Sequence, residues 1–131
     1  MPVPQDPEEQ KRELEGIHEQ VYASFHLLTI KQSNQENVLK EAKEQVADAQ
    51  AELKRTTDPE LRKRLEQVTI PTLVKQVETA SVKLSGISES LEDAQRAIKV
   101  IEMRLEQVKT ELREKEERRE EKRRRRKQRR K

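Results

Sequence analysis

Leucine, isoleucine, valine and alanine recur along this chain in alternating steps of three and four, and that rhythm organises everything else. After Pro71 the row Val77, Leu84, Leu91, Ile98, Leu105, Leu112 is spaced by seven. A second row, Leu73, Ala80, Ile87, Ala94, Ile101, Val108, interleaves with it over six heptads. A strand would need period two; period 3.5 is the mark of a helix whose apolar edge is covered by another helix. The earlier half carries the same rhythm: Leu14, Val21, Phe25, Leu28, then Leu39, Ala42, Val46, Ala49, Leu53. His18 falls in that edge, as do Gln32 and Gln35. Polar layers in a heptad seam either specify register and partner at some cost in stability or mark a partly solvated stretch. Both readings stand at this point.

Local signals divide the chain. Asp6 is a candidate cap, Pro7 suits a first helical position, and Glu8 and Glu9 meet the positive end of the helix dipole. The expected elements are therefore an N-terminal arm over 1–6 and a first long helix over 7–55. A kinked connector with a short helix follows over 56–70, then a second long heptad helix over 71–112. Within the connector, Asp58 before Pro59 has the form of a helix start, and Thr57 with Glu60 has capping-box spacing. Leu61, Leu65 and Val68 give about two turns of helix, out of phase with the later seam. Pro71 lacks a backbone donor and disfavours α geometry at Ile70, so a kink or a new helix start is expected there. Ser85-Gly86-Ile87-Ser88-Glu89-Ser90 could end one helix at Gly86 and cap another at Ser88 or Ser90. The heptad phase runs through it unbroken, which favours continuity.

Composition agrees with this reading. Of 131 residues, 31% are apolar and 42% charged, well off the balance of a compact globule. Tyr22 and Phe25 are the only aromatics, so Leu, Ile, Val and Ala must fill whatever core exists, as in coiled coils and narrow bundles. The periodicity argues against general disorder. The predicted fold class is all-α: a long antiparallel helical hairpin or coiled coil, or an elongated three-helix bundle, with a basic C-terminal tail. A single pair of such helices buries little area per residue, which favours assembly with a further helical protein or a second copy.

Charge adds the one sharp chemical signal. Residues 109–131 hold 14 Lys/Arg against 6 Glu, a balance of +8, whereas the whole chain carries +3; the remainder is therefore at −5. In the charged segment over 113–131 no apolar stripe continues, and a disordered or fraying tail is expected. Lys122, Arg123, Arg124, Arg125, Arg126, Lys127, Arg129, Arg130 and Lys131 form its end. Such a run suits phosphates through ammonium point charges and guanidinium forks. It fits an RNA or DNA arm, a nuclear localisation signal, a contact for acidic tubulin tails, an anionic-lipid patch or a solubilising tail. No aromatic accompanies it, so base stacking is not expected.

Chemistry of other kinds finds little purchase. Gly16 and Gly86 are the only glycines, which excludes a phosphate-cradling loop. His18 and His26 lack a carboxylate frame, so His18 is expected as a polar seam residue and His26 as a surface one. There is no cysteine, hence no disulfide or thiolate metal site. No cofactor, metal or catalytic group is implied, and no enzymatic activity is expected. Neither a secretory signal nor a run of about 20 apolar residues is present, so an intracellular protein, nuclear or cytoplasmic, is expected.

One stretch carries a family resemblance. Ile70-Pro71 followed by Val77-Glu78, Ala80 and Leu84 resembles the middle helix of tubulin-binding cofactor A, which has an Ile-Pro pair and then Leu-Glu, Ala and Leu. Lys40-Glu41-Ala42-Lys43 is similar to that family's first-helix Lys-Glu-rich stretch. The order of a long helix, a proline-marked second helix and a third helix after Gly86 is similar too. The resemblance implies a three-helix bundle that holds β-tubulin as a folding client.

Overall fold

The computed structural model describes residues 6–129, and no strand occurs among them. Residues 1–5 of the expected N-terminal arm, with Arg130 and Lys131 of the basic run, lie outside the described residues. Helix α1 spans Pro7–Arg55, a short α2 spans Pro59–Arg64, and α3 spans Ile70–Arg129, preceded by a π-helical turn over Leu65–Thr69. The class is all-α.

Each boundary has a local cause. At the start of α1 the Asp6 carbonyl accepts from the Gln10 N–H at 3.0 Å. Thr56, Thr57 and Asp58 interrupt the helix, and of the two caps written there the structure uses Asp58. Its side chain accepts from the Glu60 N–H at 3.2 Å, and Pro59 occupies the first turn, where a missing donor costs nothing.

The region before Pro71 takes up the proline by widening. Ile70 N–H donates to the Leu65 carbonyl, five residues back. A wider turn moves carbonyls away from the proline ring, which in a regular helix strikes the carbonyl four residues earlier. The Thr72 hydroxyl donates to the Val68 carbonyl at 2.6 Å, satisfying one acceptor beside the proline. The extra residue also explains the phase shift. Counting the seam back from Ile70 by four would place Glu66 on the apolar edge; the π turn places Leu65 there instead. Leu65 is buried, and Val68, grouped with it by spacing, is 60% exposed.

Contacts divide the chain into two units, to each of which α1 and α3 contribute: Met1–Ser24 with Ala94–Lys131, and Phe25–Asp93. In the second unit the buried side chains are Ala42, Ala49, Leu65, Ala80 and Leu91. Three of these five are alanines, so the backbones are only thinly separated. In the first unit Leu105 and Val108 are buried, and the α1 side contributes half-buried Leu14, His18 and Val21. There Lys115 meets Asp6 at 3.8 Å and His18 meets Glu102 at 3.2 Å, so residue numbers rise on one segment as they fall on the other.

Helix α3 passes through Gly86 without interruption, where the cofactor A resemblance implies a third helix. The Ser90 hydroxyl, a candidate cap, donates back to the Gly86 carbonyl at 3.1 Å instead. A methyl group added at Gly86 would meet nothing within 4 Å, and Gly86 has no positive φ. Gly86→Ala should therefore stabilise the chain by about 1 kcal/mol, the helix-propensity difference, read as a higher urea midpoint with an unchanged slope.

Leu112, expected as the end of the second helix, is where burial ends, not the helix. All of 113–129 is exposed and helical, not frayed from its start. Helix formation there is local: Glu, Lys and Arg are good helix formers, and the Arg125 guanidinium donates to Glu121 at 3.0 Å, one turn away.

Candidate interaction surfaces

Two kinds of surface arise: the apolar edges with their polar layers, and the basic end of α3. On α1 within the Phe25–Asp93 unit, Phe25, Leu28, Gln32, Gln35, Leu39, Val46 and Leu53 are half-buried, with Ala42 and Ala49 buried between them. On α3 in the same unit, Val77, Leu84 and Ile87 are half-buried and Leu91 buried. In the other unit Ile98, Ile101 and Leu112 are half-buried, and Leu105 and Val108 buried. Spacing alone did not mark Ser81 and Ala97, which are also half-buried. They flank the heptad edge, and only the orientation of the neighbouring helix reveals that its cover extends to them.

The two glutamines of the seam are used. The Gln32 amide donates to the Ser88 hydroxyl at 3.3 Å, and the Gln35 amide donates to the Ala80 backbone carbonyl at 3.2 Å. The second bond needs α1 and α3 close together at this level, which the small, buried Ala80 allows. Each bond fixes one level of α1 against one level of α3 within this unit. A one-residue slip would break both of these part-buried bonds, at a cost of about 0.5–1.5 kcal/mol each. This is what a register-setting polar layer requires.

His18 contacts Glu102 through Nε2, the ring N–H donating to the carboxylate, and its ring centroid lies 5.9 Å from that of Tyr22. It is thus a polar member of the α1 edge, and His26 is exposed. Among the described residues no group of three His, Asp or Glu side chains is arranged to hold a metal ion. A groove of about 660 Å³ lies in the Phe25–Asp93 unit between Val38, Ala42, Gln45 and Thr72, Gln76, Thr79. None of its lining residues is a histidine.

Some large apolar side chains stay uncovered. Leu27 is 60% exposed, Val82 72% and Met103 67%. They lie off the heptad edges, so pairing of α1 with α3 does not reach them.

The basic end is chemically the simplest surface. Lys122, Arg123, Arg124, Arg125, Arg126, Lys127 and Arg129 lie on the last turns of α3, all exposed. Successive side chains on a helix are turned by about 100°, so these seven point to every side of its axis. Among the described residues no helix is long and apolar enough to cross a membrane. No family model, curated protein or solved structure matches this chain.

Proposed function

We propose that this protein is a non-enzymatic interaction subunit. Its two long heptad helices pair as an antiparallel coiled-coil hairpin that docks a further helical chain or a second copy. Its basic C-terminal helix engages nucleic-acid phosphates or, failing that, serves as a nuclear import signal. The observation that carries this reading is the uninterrupted passage of α3 from an apolar edge into a turn-by-turn array of exposed Lys and Arg. No charged or polar side chain is buried among the described residues. That suits a binding surface rather than chemistry that depends on groups held away from water.

The test is a salt series. Fluorescence anisotropy with labelled nucleic acid should give a plot of log affinity against log salt falling with a slope of about −0.9 per phosphate contacted. Truncation after Glu121 should remove that slope and weaken binding at low salt by roughly two orders of magnitude or more. A chain that ignores nucleic acid yet retains β-tubulin with or without the tail would replace this reading with a client-binding chaperone.

A further inference from the structure

The charged end of α3 has a geometry that selects among polyanions. Seven Lys/Arg occupy residues 122–129, and at about 1.5 Å rise per residue the segment covers about 12 Å of axis. That is one positive charge per about 1.7 Å, the axial spacing of phosphate charge along duplex DNA. A separated strand offers half that density. The charges also surround the axis, so a flat anionic surface would meet only about half of them, whereas a groove with phosphates on both walls meets most. The major groove of B-form DNA is about 12 Å wide and admits one α-helix of 10–12 Å diameter.

We infer that residues 122–129 bind duplex DNA as a helix lying in the major groove, without base specificity. This rests on the nucleic-acid reading above and narrows it to one form. The absence of aromatic residues in the tail removes the stacking platform that single-strand binders use. The turns just before it, 113–121, set Arg113, Lys115, Arg118 and Arg119 against Glu114, Glu116, Glu117, Glu120 and Glu121, a balance of −1, so the unopposed positive charge is concentrated at the end of the helix. The required helicity is not intrinsic to residues 122–129, because so short a run of like charges would not nucleate alone. It is inherited from the turns before it, including the pair Arg125–Glu121.

Glu121→Pro in the full chain separates helix from charge. It raises the net charge by one, so it cannot weaken simple electrostatic attraction, but it cuts the last turns off from the helix that supports them. Position 121 is exposed and lies beyond the last half-buried position, Leu112, so the rest of the fold is untouched. Glu121→Gln supplies the same charge change without the break. Measured by anisotropy, the proline variant should lose about tenfold in affinity for a mixed-sequence DNA duplex, helix supply being the only term removed. Binding of one separated strand should hold or tighten, and Glu121→Gln should not lose affinity for either. Equal binding of duplex and strand, unaffected by the proline, overturns the groove assignment and leaves phosphate binding standing. Binding to neither probe removes both. Tighter retention on phosphatidylserine vesicles than on duplex also overturns the assignment.

Discussion

Leu91→Ala should lower the free energy of unfolding by about 2–4 kcal/mol, whereas Val82→Ala, on the same helix nine residues earlier, should change it by less than about 0.5 kcal/mol. Leu91 is 8% exposed and Val82 72% exposed. Removing the Leu91 side chain takes apolar atoms out of a covered site and leaves a void that neighbouring Ile87 and Ala94 are too short to fill. The melting midpoint should drop by on the order of 10 °C. Val is a poorer helix former than Leu, so propensity contributes to the difference, but by no more than about 0.5 kcal/mol. Equal effects at the two positions would mean that the heptad edge is not the covered face.

Ala80→Leu is the second large expectation, and it works in the opposite sense, by crowding. Ala80 is 4% exposed, and a larger side chain must push α1 and α3 apart within their unit, at a cost of about 1–3 kcal/mol. By holding the two helices apart it also stretches the bond from the Gln35 amide to the Ala80 carbonyl, adding about 1 kcal/mol. A double-mutant cycle with Gln35→Ala resolves the two parts, because the hydrogen-bond component disappears once Gln35 is gone. If the cycle shows no coupling, the bond to Ala80 has no energetic weight. By contrast, Gln35→Leu should leave stability equal or higher, since an apolar layer packs better than a polar one. Its cost should appear as loss of a single alignment, read as extra conformers in cross-linking between engineered cysteines on α1 and α3.

Much of the helical pattern was legible because it is a phase, and phase survives ignorance of everything else. The α1 edge from Leu14 to Leu53, His18, Gln32 and Gln35 included, is where half-burial and burial fall. Pro7, Asp58 and Pro59 announce their boundaries through chemistry confined to one turn. The π turn was not legible as such. A missing phase between Leu65 and Ile70 shows that something intervenes, but spacing alone does not distinguish a kink from a widened turn. The helicity of 113–129 was not legible from hydrophobic periodicity, which marks only helices with a covered face. That segment has no stripe and is held by backbone bonds and good helix formers. For the interaction surfaces, the charges were plain in the sequence, but their disposition around one axis depends on the helix. The exposure of Leu27, Val82 and Met103 depends on where the partner helix lies.

The five-residue turn at Leu65–Thr69 acts as a slack link in the winding. One surplus residue there absorbs the mismatch between the numbering before it and the numbering after it. Removing one residue between Leu65 and Ile70 should let it revert to ordinary winding, with Leu65 then four positions before Ile70 and still on the apolar edge. Removing one farther along, between Leu73 and Leu84, leaves nothing to take up the error, and every later apolar side chain turns by about 100°. Tolerance to single-residue deletion in this protein should therefore be sharply local, greatest in the few positions where the backbone already carries a spare.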